Sequence, residues 1–144
     1  MRVLVYSDDR RIRDDVRRAL GTKPADDLPE FEYLEAATFE YALAMLDAGG
    51  LGLVIADGEA APAGGMGLAR QAKDEIFNCP PFVVLIARRA DAWLATWSRA
   101  EAVTGLPVEP NAMTNSVRRA LRAGAERIEA SPGGAIVSTD SEKY

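Results

Sequence analysis

The fold is decided by the stretch Leu53-Val54-Ile55-Ala56-Asp57, an uninterrupted apolar run that ends in a carboxylate. Two other runs, Val3 to Tyr6 and Phe82 to Ala87, are also apolar throughout. Strands covered on both faces of a parallel sheet are typically apolar in this way. Weaker runs over 31–34 and 103–108 complete a set of five, and a helical pattern follows each run. Five strand–helix units in series predict an α/β fold with right-handed crossovers.

The predicted architecture is a doubly wound, five-stranded parallel sheet in the order 2-1-3-4-5 with five flanking helices. Strands 1 and 3 are then neighbours, and their carboxyl ends form the switch point where open α/β sheets bind ligands. Ser7 and Asp8 follow strand 1 and Asp57 closes strand 3, so we expect the three residues to converge there. Residues 1–130 are expected to form one domain, and residues 131–144 a disordered polar tail.

Composition excludes several classes of function. The chain has 144 residues, a net charge of -5 and no histidine, which excludes a Ser-His-Asp triad and histidine metal ligands. We expect no enzyme activity, because no acid–base pair accompanies a candidate nucleophile. An acidic chain is poorly matched to phosphates, so no nucleic-acid partner is expected. No membrane partner is expected either, because the N-terminal apolar run is short, and the single Cys79 fits a cytoplasmic location.

Four short motifs resemble the receiver domain of bacterial response regulators over roughly residues 2–128. Ser7-Asp8-Asp9 with Ile12-Arg13 resembles the family's Asp-Asp-x-x-x-Val/Ile-Arg, and Asp57 closes a strand similar to the one that bears the phosphoacceptor. Gly67-Leu68 resembles the start of the family's third helix, and Glu109-Pro110 falls on its Lys-Pro. The order of these motifs indicates a CheY-like, flavodoxin-like fold.

The resemblance implies the chemistry of two-component phosphorelay signalling. In the family an aspartate accepts a phosphoryl group and binds Mg²⁺ together with two acidic residues of strand 1 and a backbone carbonyl. A lysine binds the phosphoryl group, and a Thr or Ser at the end of strand 4 donates a hydrogen bond to it. Asp57 is then the acceptor, and Asp8 with Asp57 are the candidate metal ligands. We expect no cofactor beyond weakly held Mg²⁺.

The chain departs from the family at most supporting positions. Ser7 replaces the first acidic residue, and Ile86 or Ala87 replaces the Thr or Ser, depending on where a gap is placed. Glu109 falls on the lysine, and Leu106 falls on the aromatic switch residue of strand 5. We therefore interpret the domain as an atypical, degenerate receiver.

The expected acidic pocket of Ser7, Asp8 and Glu109 around Asp57 opposes phosphoryl transfer. A charge reversal within about 4–6 Å changes the interaction by several kcal/mol at an effective dielectric near 20. Loss of a preorganised donor costs a further factor of roughly 10²–10³. Asp57 is therefore expected to be a weak or vestigial acceptor.

Glu109 itself needs a partner if it faces two other carboxylates. We expect it to bind a cation or donor, with Arg10 and Arg88 as candidates. The bond between Glu109 and Pro110 is expected to be cis, as the Lys-Pro bond usually is in the family.

Partner contact is expected on the face formed by helix 4, strand 5 and helix 5, which receivers commonly use for output or dimer formation. This face offers aromatic and arginine side chains of the kind that anchor interfaces: Trp93, Trp97, Arg99, Arg118 and Arg122. An unidentified protein partner, or a homodimer through this face, is expected.

Three hypotheses of function stay open at this point. The first is a stand-alone signalling or adaptor protein that acts by protein–protein contact without phosphorylation, since few residues follow helix 5. The second is a single-domain response regulator in which Asp57 is weakly phosphorylated. The third is a binder of a nucleotide or other small molecule at the switch-point crevice.

Overall fold

A computed structural model describes residues 1–130, apart from the side chains of Ala90, Ala95 and residues 128–130, so the predicted disordered tail lies outside the described residues. The strands are β1 Arg2–Tyr6, β2 Glu32–Ala36, β3 Leu53–Asp57, β4 Phe82–Ile86 and β5 Ala102–Gly105. The helices are α1 Arg10–Leu20, α2 Phe39–Ala48, α3 Gly65–Glu75, α4 Trp93–Ser98 and α5 Pro110–Ala130, with a 3-10 turn at Arg89–Ala92. Within this described part, no helix is long and apolar enough to cross a membrane.

The sheet is parallel throughout and has the order β2-β1-β3-β4-β5, as predicted. Successive residues of its central strands point to opposite faces. In β3, Leu53 and Ile55 join the core beneath α1 and α5, whereas Val54 and Ala56 join the core beneath α2 and α3. Because α4 packs on α3 and α1 packs on α5, α4 and α5 lie on opposite sides of the sheet.

β5 is shorter than its apolar run predicted. It ends at Gly105, and the backbone N–H of Leu106 donates to the carbonyl of Ile86 at 2.8 Å. Helix α5 begins at Pro110, where a proline is favourable because the first helical N–H has no partner within the helix. Residues 106–109 are therefore a connection that leaves the sheet.

A charged cluster, buried at Lys73 and Glu101 and half-exposed at Arg127, ties α3, β4 and α5 together at the amino edge of the sheet. Oε1 of Glu101 accepts a hydrogen bond from the backbone N–H of Phe82 at 2.8 Å. Its Oε2 binds Nζ of Lys73 at 2.7 Å and the guanidinium of Arg127. Such clusters fix the relative positions of the elements they join, because loss of one partner leaves a buried charge uncompensated. Glu101 thereby fixes the position of α3 relative to β4 and α5.

Helix α3 starts in direct contact with β3. A Cβ added at Gly65 would lie 2.7 Å from Cβ of Ala56 and 2.8 Å from its carbonyl oxygen, whereas one added at Gly67 would meet nothing within 4 Å. Only glycine lets the helix approach the strand this closely.

This contrast gives a matched pair of substitutions in one helix. Gly65→Ala should lower the free energy of unfolding by about 1–3 kcal/mol, because backbone and strand must move apart. Gly67→Ala should raise it by about 0.5–1 kcal/mol, because alanine costs less backbone entropy in a helix. Urea unfolding of both variants measures the difference, and equal effects of the same sign would contradict the close approach.

Candidate functional site

Asp57 lies at the end of β3 with only 3% of its surface exposed. Its Oδ2 accepts a hydrogen bond from the hydroxyl of Ser7 at 2.7 Å, and its Oδ1 accepts one from the backbone N–H of Glu59 at 2.8 Å. Ser7 is buried as well, and its Oγ accepts from the backbone N–H of Asp9 at 3.0 Å. Buried charge requires such partners. Two neutral donors therefore supply hydrogen bonds to both oxygens of the candidate phosphoacceptor.

Arg13 fixes the backbone beside this contact. Its Nη1 donates to the carbonyl oxygen of Ser7 at 2.6 Å, and its Nε binds Oε1 of Glu35 at 2.9 Å. The arginine matches the motif that carried the resemblance, and in the structure it links α1 to the ends of β1 and β2. A cavity of about 480 Å³ lies next to it, lined by Arg13, Glu35, Ala37, Thr38 and Tyr41.

The loop at 58–64 is bound to the end of β1. Oδ1 of Asp8 accepts a hydrogen bond from the backbone N–H of Ala61 at 3.2 Å, and the Tyr6 hydroxyl donates to the carbonyl of Ala63 at 2.5 Å. Burial, followed by nearby carboxylates, raises the pKa of Tyr6 above its usual value, so the hydroxyl keeps its proton as the pH rises. Asp8 and Tyr6 thus hold the loop beside the crevice.

The residues of the crevice do not fit a Mg²⁺ site. Mg²⁺ requires oxygen ligands in near-octahedral geometry, but both oxygens of Asp57 and Oδ1 of Asp8 already face hydrogen-bond donors. Ser7 supplies one of these donors at the position where the family has an acid. Among the residues that the structure describes, no three Cys, Asp or Glu side chains are placed together so that they could hold a metal ion.

The end of β4 has no hydroxyl to offer. Ile86 is buried in the core beneath α2 and α3, and Ala87 follows at the surface. The backbone N–H of Ala87 donates to Oε2 of Glu59 at 3.4 Å, so a carboxylate of the loop occupies the region beside Asp57. With either placement of the gap, the hydroxyl of the family's Thr or Ser is missing.

Glu109 does not join the crevice, and the expectation of an acidic pocket that includes it is wrong. Its side-chain oxygens accept hydrogen bonds from the backbone N–H groups of Asn111 and Ala112, at 2.9 and 3.0 Å. Glu109 is exposed and caps α5, where a carboxylate is favourable beside the positive end of the helix dipole.

Glu109 does bind hydrogen-bond donors, as expected, but two narrower expectations about it are wrong. Arg10 forms an ion pair with Asp14, and Arg88 forms one with Asp91, so neither arginine is the partner of Glu109. The bond before Pro110 is not cis. The cis bonds of the described chain precede Pro62 and Pro107.

The residue that leaves β5 beside β4 is Leu106, which is half-buried against the core beneath α1 and α5. We infer from this placement that Leu106, and not Glu109, corresponds to the lysine of the family. Because the resemblance puts the switch residue three positions before the lysine, the same inference moves the switch position from Leu106 to Val103, which is also half-buried. Neither residue is charged or aromatic, so both family features remain missing at the corrected positions.

Comparison with known proteins identifies the family. No family model matches the chain. Two curated proteins from strains of Mycobacterium tuberculosis, each described as an uncharacterized response regulatory protein, are 50% identical to it over 125 residues, covering 87% of this chain and 94% of theirs. The chain belongs to the response-regulator family. This receiver is accordingly a signalling protein and not an enzyme, as predicted.

Solved structures share its CheY-like fold. The receiver domain from Methanospirillum hungatei JF-1 has a TM-score of 0.68 at 20% identity and covers 88% of this chain and 97% of its own. CheY4 of Vibrio cholerae has a TM-score of 0.69 at 20% identity, covering 83% and 98%. TrrA of Thermotoga maritima, solved in complex with Mg(2+)-BeF, has a TM-score of 0.68 at 22% identity with the same coverage.

The residues expected on one partner face are divided between two sides of the sheet. Trp93 and Trp97 of α4 are 68% and 46% exposed. Arg118 of α5 instead binds Asp27 through two hydrogen bonds of 2.8 and 3.0 Å. These bonds hold the pKa of Asp27 below its usual value, with a smaller contribution from Arg122. Arg118 and Arg122 therefore face the connection before β2 and not the tryptophans.

Two further residues that no sequence motif marks, Arg70 and Asp74 of α3, accompany the tryptophans. The guanidinium of Arg70 in α3 lies 5.1 Å from the ring centre of Trp97, and its Nη1 donates to the carbonyl of that residue at 2.7 Å. Arg99, at the end of α4, binds Asp74 of α3. No local signal predicts these contacts, because they join residues 25 and 27 positions apart.

The hydrogen bond between Ser7 and Asp57 can be measured with a double-mutant cycle. Ser7→Ala should lower the free energy of unfolding by about 2 kcal/mol, because it leaves one oxygen of a buried carboxylate without a donor. The double variant Ser7→Ala/Asp57→Ala should lose less free energy of unfolding than the sum of the losses in the two single variants, because removal of the carboxylate also removes the unsatisfied oxygen. Denaturant unfolding of all four proteins gives the coupling, and additive losses would contradict a bond between the two side chains.

Proposed function

We propose that this receiver is an atypical signalling or adaptor protein that acts by protein–protein contact and independently of phosphorylation. The observation that carries the proposal is that neutral donors, the Ser7 hydroxyl and the Glu59 N–H, occupy the oxygens of Asp57. A cytoplasmic location and a single domain over residues 1–130 belong to the same proposal.

Electrostatics argues against a stable phosphoryl group on Asp57. Phosphorylation adds about 1.5 to 2 negative charges, and a cation at about 4 Å would contribute roughly 4 kcal/mol at an effective dielectric of 20. Leu106 supplies no such cation, and Ala87 supplies no hydroxyl. Attack through Oδ2 would compete with the hydrogen bond from Ser7, and attack through Oδ1 with the one from the Glu59 N–H.

The side chains through which receivers of the family respond to phosphorylation are missing as well. The resemblance assigns that role to a hydroxyl at the end of β4 and to an aromatic side chain in β5. Ile86 or Ala87 falls on the first position and, by the inferred correspondence, Val103 falls on the second, so neither position offers the side chain that would respond to a phosphoryl group. Partner contact in this protein is therefore constitutive.

The exposed tryptophans of α4 support contact as the mode of action, because tryptophan is enriched among residues that dominate binding energy. A homodimer through α4, β5 and α5 is the second candidate for this contact. Sedimentation equilibrium separates the two, since only a homodimer gives the pure protein a molecular mass above that of one chain.

Treatment with a small-molecule phosphodonor and Mg²⁺ should leave the wild-type protein unphosphorylated. Intact-mass spectrometry measures this directly, and Asp57→Asn is the control for modification elsewhere. Stoichiometric addition of one phosphoryl group, lost in Asp57→Asn, would instead establish the weakly phosphorylated regulator as the better hypothesis.

A variant with restored groups is the matched positive control. Ser7→Asp, Ala87→Thr and Leu106→Lys together return the acid, the hydroxyl and the cation to the crevice. This triple variant should gain phosphorylation and Mg²⁺ binding by calorimetry, whereas each single variant should not, because the groups act as a unit.

A further inference from the structure

The surface that joins α3 to α4 is formed by Arg70, Asp74, Trp93, Trp97 and Arg99, and we call it the α3–α4 surface. Trp93 is largely open to water and Trp97 about half so, although burial of both would be favourable, since an aromatic side chain covers 150–250 Å² when it is buried. They lie one turn apart, so one partner segment can contact both.

Contacts within the surface hold Trp97 in place. The guanidinium of Arg70 stacks over its ring, and Nε of Arg70 lies 3.8 Å from Oδ2 of Asp74. Asp74 also binds Arg99, which ends α4 in the left-handed conformation with φ of 63°. A side chain already fixed in this way loses little conformational entropy when it binds. The surface is therefore preorganised for contact.

The charges of the surface indicate the chemistry of the partner. One carboxylate, Asp74, is shared between the two guanidiniums of Arg70 and Arg99, so these three side chains carry a net charge of +1 although the whole chain carries a net charge of -5. Arg89, also exposed, lies one helical turn before Trp93. A partner that brings carboxylates completes these charges, because guanidinium groups bind carboxylates with strong hydrogen bonds.

We infer that the α3–α4 surface binds an acidic segment of a partner protein, with a large apolar side chain of that segment packed against Trp93 and Trp97. The inference rests on the proposed function and adds the chemistry of the partner to it. An anionic membrane is the less favoured ligand, because α4 has only six residues and offers too short an apolar face to lie in a membrane interface.

A selection from displayed random peptides tests the inference. Peptides that bind the wild-type protein and not Trp93→Ala/Trp97→Ala should carry net negative charge and at least one large apolar residue. For the best synthetic peptide, Trp97→Ala should weaken binding at least about 30-fold, as for a binding hot spot. An analogue with Asn and Gln in place of Asp and Glu should bind at least about tenfold more weakly and lose its dependence on salt.

Tyr41→Ala is the matched control, because Tyr41 is an aromatic residue, 55% exposed, that belongs to α2 beside the cavity at Arg13. This variant should bind like the wild type. Three results would overturn the inference: no enriched peptides, enrichment of neutral or basic peptides, or binding that survives loss of both tryptophans. Tryptophan-dependent binding to phosphatidylcholine–phosphatidylserine vesicles without any acidic peptide would also overturn it.

Asp57→Asn separates this inference from the proposed function. Unchanged peptide affinity in that variant, within about twofold, supports both. If Asp57→Asn or a phosphodonor alters the affinity while the tryptophan dependence stays, the docking surface is correct and constitutive action is wrong. If the tryptophans do not matter and the receiver still resists phosphorylation, the docking surface alone fails.

Discussion

A serine hydroxyl donates a hydrogen bond to the carboxylate of Asp57 at 2.7 Å, in a place where both side chains are shielded from water. A buried carboxylate without donors would be costly, so this contact is a requirement of the fold as well as a property of the site. It also determines which chemistry is available. A hydroxyl stabilises the carboxylate without bringing a charge, whereas an acid at the same position would need a cation to relieve repulsion between the two.

The rest of the crevice follows from this constraint. Because Ser7 is neutral, its position brings no acid that would need a cation beside Asp57. Asp8 binds the backbone of the loop after β3 instead, and Tyr6 holds the same loop through a second hydrogen bond. The crevice is thereby organised by neutral donors and backbone contacts. Under the proposed function, signalling does not depend on a change of charge at Asp57, and the α3–α4 surface carries the contact with the partner.

The strand order and the convergence of Ser7 with Asp57 could be predicted from the sequence, because continuous apolar runs mark strands covered on both faces and the carboxyl ends of neighbouring parallel strands meet. The position of Glu109 could not be predicted from motif matching, since β5 has a weak pattern and its end was ambiguous. A signal did exist: Pro110 is favoured at the first position of a helix, which makes Glu109 its cap. The contacts of Trp97 with Arg70 are long-range and leave no local pattern.

Amide NMR spectra of the isotope-labelled protein, recorded while Mg²⁺ and then fluoroberyllate are added, test the central claim most directly. Fluoroberyllate mimics a phosphoryl group and does not depend on the reactivity of a phosphodonor. If the Ser7–Asp57 bond has replaced the charged machinery, the resonances of residues 57–61, 86–88 and 103–106 should not move. Saturable shifts of these resonances that spread to α4, and that vanish in Asp57→Asn, would show that the crevice still binds a phosphoryl group and transmits its presence.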